Sequence, residues 1–227
     1  MSDDVAIGYI PSDKLKRVCS LFLGDVFRPD FPEPKFYRLP SLHFEQAISN
    51  RLCWDRSRDE LEDAPACKQI IPYVVLSRKK EVQPSVPSIF VTIRLEGGGE
   101  NRLHGKTSFG IGGHLEGGDV TYGNPVHMGL RREVAEEVII KPYALTEDPK
   151  FVGFIYGGTE LVDQVHFGLV YSWRLCPDNS CSVRETDQLV GEWVPADKAM
   201  MMRENPKTER WAKALCDSLG YIIGGWQ

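Results

Sequence analysis

The sequence predicts an α/β sandwich built on a mixed β-sheet, with a helical extension at its N-terminus. Three observations carry that expectation. Apolar, β-branched runs begin at Lys68 and recur as far as Pro195. One acidic helix interrupts them near the middle, and helical segments close the chain. Strands, a single helix, strands and terminal helices suit a sandwich better than regular βαβ repetition.

The elements follow in order. "SDKLKRVCSLFLG", Ser12 to Gly24, has an N-cap serine, helical apolar spacing and a terminal glycine. "DVFRPDFPEPKFYRLP" carries four prolines and is predicted to be an extended, irregular connector. "SLHFEQAISNRL" forms a second helix starting at Ser41. Residues 1–66 therefore read as a helical and irregular extension, and 67–227 as the main domain. "QIIPYVVLS" and "SIFVTIRL" are strands with a basic turn between them, and "TSFGIGG" is a third strand leading into a glycine loop. Beyond the acidic helix, "KFVGFIY", "VHFGLVYSWRL" and "LVGEWVP" read as strands. "PADKAMMMRE" and "PKTERWAKALCDSLG" read as helices with proline near their starts.

Composition narrows the function classes. The chain has 227 residues and a net charge of −5, and its basic residues do not gather in one run. A nucleic-acid polymer is therefore not the expected partner, because its binding relies on a basic stripe. Small phosphorylated molecules need only a local cation. No leader is visible and no apolar run approaches the roughly 20 residues of a membrane helix, so the cytosol is the expected compartment. The six cysteines are scattered without a CxxC pair. Cys176 and Cys181 flank a Pro-Asp-Asn turn in "LCPDNSC" and read as reduced thiols.

The chemistry concentrates in "GIGGHLEGGDVTYGNPVHMGLRREVAEEV", Gly110 to Val138. No Gly-Lys-Ser/Thr follows, so it is no P-loop, and no βαβ unit makes it a dinucleotide fingerprint. On a helix, Glu133, Glu136 and Glu137 fall within an arc of about 100°, with Leu130, Val134 and Val138 as the neighbouring apolar stripe. Three carboxylates this close repel one another, and a divalent cation removes the repulsion. Mg²⁺ prefers a few carboxylate oxygens while keeping several waters. Arg132 can hold Glu136 or buttress the loop through paired N–H donors. A solvated charged helix is the competing reading. The glycine-dense strand exit weighs against it, since glycines let backbone groups approach a metal or phosphate.

"GGHLEGGD…RREVAEEV" resembles the Nudix box, Gly-x5-Glu-x7-Arg-Glu-U-x-Glu-Glu-x-Gly-U, where U is bulky and aliphatic. Gly113 matches the first glycine, and Arg132, Glu133, Val134, Glu136 and Glu137 match the second half without a gap. Three departures stand out. Asp119 replaces the first glutamate. Twelve residues instead of seven separate it from Arg132, so "VTYGNPVHM" enlarges the loop by five. Ile139 replaces the last glycine, and the helix is expected to run on until Pro142.

The resemblance implies a Nudix α/β/α sandwich and a Mg²⁺- or Mn²⁺-dependent hydrolase that cleaves a small nucleoside diphosphate derivative or similar diphosphate. It implies Glu133, Glu136 and Glu137 as metal ligands, with a backbone carbonyl at Gly112 or Gly113. Arg132 belongs to the catalytic group, and Glu160 and Asp163, on "YGGTELVDQVH", are candidate general bases. Gly112, Gly113, His114, Asp119 and Arg94 are the candidate substrate contacts, with Arg102 a further cation. His166 reads as a structural, hydrogen-bonded histidine. Tyr156, sixteen residues past the box, stands where dinucleoside polyphosphate enzymes carry a tyrosine. A nucleotide-sensing domain without turnover is the alternative, and a homodimer is allowed. An isopentenyl-diphosphate-type isomerase is disfavoured, because Cys67 lacks the expected Cys-His-rich context.

Overall fold

A computed structural model describes residues 5–79, 86–95, 105–121, 123–142, 148–184 and 186–224. The chain opens with β1 (Tyr9–Pro11), α1 (Ser12–Leu23), β2 (Lys35–Arg38), α2 (Leu42–Ser49) and α3 (Arg58–Glu62). Strands β3 (Cys67–Arg78), β4 (Ser88–Arg94), β5 (Thr107–Ser108) and β6 (Ile111–Gly112) lead to helix α4 (Pro125–Glu137). Then come β7 (Val138–Lys141), β8 (Lys150–Tyr156), α5 (Leu161–Val165), β9 (His166–Leu175), β10 (Ser180–Val183) and β11 (Leu189–Pro195). Helices α6 (Ala196–Met200), α7 (Arg210–Leu215) and α8 (Leu219–Ile222) follow. The class is α/β, as the pattern of runs predicts.

The chain divides into two compact units. The first comprises 1–73, 112–132 and 151–170; the second comprises 74–111, 133–150 and 171–227. In the first, neighbouring strands run β3-β9-β8-β2, and β1 is added to β3 with Tyr9 opposite Gln69. Strand β2 pairs antiparallel with β8, Phe36 facing Ile155. Its core is aromatic. Phe44 stacks on Phe154 at 5.0 Å, and Tyr37 stacks on the same ring at 5.0 Å. Phe44, Phe154 and Phe167 are fully buried, each worth about 1.5–3 kcal/mol relative to exposure.

In the second unit, β11 pairs antiparallel with β4, β4 neighbours β3, and β5 is added to β4. Phe90 meets Trp193 edge-on at 5.3 Å, and the Arg78 guanidinium lies 4.1 Å from the Trp193 ring centre. Strands β10 and β7 form a separate antiparallel pair.

Four local expectations need correction. The connector from Asp25 to Pro40 contains a strand, β2, in which buried Phe36 and Tyr37 lie between exposed Lys35 and Arg38 and pair with β8. Ser12 does not cap α1. Pro11 occupies the N-cap, and the Ser12 hydroxyl donates to the Pro65 carbonyl at 2.7 Å. The third strand is two short pieces that change partner, β5 on β4 and β6 on β3, where Ser108 Oγ turns back to the Gly110 carbonyl. The central helix does not continue to Pro142. It stops at Glu137, and Val138–Lys141 become β7 opposite Ser180–Val183. Three successive β-branched residues favour the ladder.

Candidate active site

The glycine loop is fixed from beneath before any side chain is considered. A Cβ on Gly112 would lie 2.1 Å from the Pro72 carbonyl oxygen, so only glycine lets the loop pass that close to β3. The N-terminal residues then strap its far side. Gly8 N–H donates to the Leu115 carbonyl at 2.9 Å, and Gly117 N–H donates to the Ala6 carbonyl at 2.9 Å.

Asp119 and Arg132 lock this loop to the helix. Asp119 is 6% exposed, and its Oδ2 accepts from the Glu116 N–H at 2.8 Å. Arg132 grips both carboxylate oxygens, Nε to Oδ1 at 3.2 Å and Nη2 to Oδ2 at 3.1 Å. The same Nη2 donates to the His114 carbonyl at 2.7 Å. Charge-assisted paired bonds of this kind fix geometry as well as charge. Helix α4 comes so near only because residue 129 is glycine, where a Cβ would meet Asp119 Oδ2 at 2.8 Å and Leu115 Cδ2 at 2.4 Å. Asp119, a candidate substrate contact, spends its oxygens on protein donors.

His114 points from the loop to His166, with Nε2 atoms 3.1 Å apart. His166 Nδ1 lies 2.7 Å from the Val162 carbonyl oxygen. Burial pushes the His114 pKa down to about 3, with His166, Arg58 and Arg132 adding in the same direction. The ring is a neutral dipole near pH 7. His166 has the hydrogen-bonded setting expected for it.

The two candidate bases differ sharply. Glu160 is exposed at the head of α5. Asp163 is 3% exposed and packed under Gly158, where a Cβ would come within 2.4 Å of its Oδ2. Gly157 and Gly158 have φ of 96° and 108°, conformations that L side chains rarely adopt. The N-terminal segment holds this turn, since Gly158 N–H donates to the Phe31 carbonyl and Thr159 N–H to that of Pro32. Below it lies Lys68, whose Nζ donates to the Asp163 carbonyl at 2.9 Å and stands 5.0 Å from the Tyr156 ring centre. Burial pushes Lys68 down to about 8, against the opposing charge of Asp163. Tyr156 is buried in the aromatic core and meets Phe27 edge-on.

Helix α4 carries Arg132 in the first unit and Glu133, Glu136 and Glu137 in the second. Glu133 and Glu137 are half-buried and Glu136 is exposed. Among the described residues no three His, Cys, Asp or Glu side chains gather as a ready cation cluster. The donors themselves, carboxylates within one turn of helix, are the hard oxygens that Mg²⁺ or Mn²⁺ takes. Arg184 secures the helix end, with its N–H on the Glu137 carbonyl at 2.8 Å and Nε on the Ala135 carbonyl at 2.9 Å. These are carbonyls a helix otherwise leaves unsatisfied. Arg94 ends β4 in the second unit, opposite Leu189. Arg102 lies outside the described residues.

Sequence reasoning missed Lys68 and Arg184. Their partners lie 95 and 49 residues away, and no local pattern announces such contacts.

No protein-family model matches the chain. Protein YmaB of Bacillus subtilis (strain 168) is 32% identical over 167 residues, 71% of this chain and 76% of that protein. Among solved structures, that of Tm1382, a candidate Nudix hydrolase, is 24% identical with a TM-score of 0.70, covering 96% of this chain and 98% of the other. A NUDIX hydrolase from Alicyclobacillus acidocaldarius is 13% identical over 67% of this chain and 90% of its own, with a TM-score of 0.44, a likeness too slight to weigh. The Tm1382 likeness speaks for the fold, and YmaB ties the sequence to a known relative. With a box-like run from Gly113 to Glu137, the chain is a relative of YmaB and has the Nudix fold seen in Tm1382.

Proposed function

We propose that this protein is a Mg²⁺- or Mn²⁺-dependent hydrolase that cleaves a diphosphate linkage in a small nucleoside diphosphate derivative or a similar compound. The observation that supports it best is the Arg132 clamp. It draws the glycine-loop carbonyl of His114 and the carboxylate of Asp119 onto the residue directly preceding the three glutamates. A solvated helix has no use for such a clamp.

Glu133, Glu136 and Glu137, with the carbonyl of Gly112 or Gly113, are the groups that would hold the cation. The bound ion would neutralise diphosphate oxygens and lower the pKa of a water. Arg132 spends its donors on the protein, so its task is orientation of the loop. Glu160, the acid open to solvent, accepts the proton of the attacking water. Asp163 supports that turn from below. The substrate is a small molecule and the compartment the cytosol; no described helix is long and apolar enough to cross a membrane.

A panel of nucleoside diphosphate derivatives with Mg²⁺, read by mass spectrometry, tests the proposal. One member should be cleaved, and Glu137→Gln should slow it by about 100-fold or more. Full turnover in that variant, or no Mn²⁺ binding by the wild type, would overturn the assignment. Thermal stabilisation by a nucleotide without cleavage would point to sensing instead.

A further inference from the structure

The five extra residues of the box fall in Val120–Met128, and two of that stretch are bonded to the N-terminal helix α2. His127 Nε2 lies 2.5 Å from Glu45 Oε1. Ser49 Oγ donates to Asn124 Oδ1 at 3.1 Å. The partners are spaced four apart on α2 and three apart around the start of α4, so two neighbouring turns meet. Asn124 is also the helix cap. Its Oδ1 accepts from the Val126 N–H at 3.0 Å, and its carbonyl accepts from the Met128 N–H at 3.1 Å, with Pro125 at the first helical position.

Helix α2 is a firm base for this joint. Ser41 caps it through the Phe44 N–H, Phe44 and Ile48 are fully buried, and Phe44 lies in the aromatic stack on Phe154 and Phe151. Glu45 is a buried carboxylate, 3% exposed. A buried acid is retained only where it is paired. Here it faces the positive end of the α4 dipole as well as His127.

We infer that Glu45 and Ser49 are positioning residues for the box helix, and that the enlargement between Asp119 and Arg132 is the receiving half of this joint. The enlargement then serves helix placement, with the N-terminal extension as its counterpart. The consequence for cation binding rests on the hydrolase reading above, because α4 carries the carboxylates.

The test uses the full chain and two readouts, amide hydrogen exchange and binding of Mn²⁺ alone followed by electron paramagnetic resonance. His127→Ala should speed exchange over 126–132 by about tenfold while β3 stays protected, and weaken Mn²⁺ binding by about tenfold, the scale of other supporting contacts. His127→Gln, which keeps a donor toward Glu45, should recover most of both losses. Glu45→Gln, of unchanged shape, repeats the test from the other side. Exchange unchanged in His127→Ala and Glu45→Gln overturns the joint. Faster exchange with unaltered Mn²⁺ affinity overturns its positioning role and leaves a structural contact. A wild type that binds no Mn²⁺ sinks the hydrolase reading separately, and exchange alone then decides whether α2 holds α4.

Discussion

Asp119 and Asp163 are both buried in the first unit and both stand beside a basic side chain, yet their basic partners are treated differently. Arg132 reaches Asp119 with two N–H bonds and keeps a third for the His114 carbonyl. Lys68 gives a hydrogen bond to the main chain of Asp163 and meets the carboxylate as a charge. The planar guanidinium matches the carboxylate and keeps its proton at any working pH. The ammonium, deeper in the protein, is held at about 8 by burial. One aspartate belongs to a permanent clamp, and the other to a contact that alkaline pH can undo.

Three substitutions probe that contrast. Arg132→Ala strands a buried carboxylate and should cost about 3 kcal/mol or more of stability, seen as a lower urea midpoint. A midpoint equal to wild type would mean that the clamp holds nothing. Lys68→Met acts through pH. The folded pKa of Lys68, about 8, lies below the unfolded value of 10.5, so between these pH values the unfolded chain binds more protons. This lysine therefore adds stability as pH rises through the window, by up to about 3 kcal/mol. The difference between wild type and Lys68→Met should grow in favour of wild type from pH 8 to 10.5, and a difference independent of pH would refute the depressed ammonium. Gly158→Ala should have the smallest effect, about 2 kcal/mol, from a positive φ and the crowding of Asp163. Tolerance of alanine there would show that the turn has another way to pack.

Much of the first aspartate's setting was legible in the sequence. Asp119 and Arg132 belong to one motif, and the use of Arg132 to buttress the loop can be read from it. The second setting was not. Lys68 reads as the first residue of an apolar strand, and nothing near it names Asp163. Its buried side chain reaches the segment that follows the turn strapped by Phe31 and Pro32. The end of α4 was misread for a related reason. Val138–Ile140 tolerate a helix, and it is the distant strand β10 with Arg184 that draws them into a ladder. Likewise the enlarged loop is legible as an insertion, while its bonds to Glu45 and Ser49 depend on a helix some 80 residues earlier.

The histidine pair beside the glycine loop has one more consequence. The Val162 carbonyl can only accept, so His166 carries a hydrogen on Nδ1, and whenever its ring is neutral its Nε2 is a lone pair. In that state His114 holds its own hydrogen on Nε2 and keeps Nδ1 as an acceptor. One tautomer is then selected within the glycine-rich loop, and the distant Val162 carbonyl, acting through His166, decides which nitrogen of His114 can receive a proton.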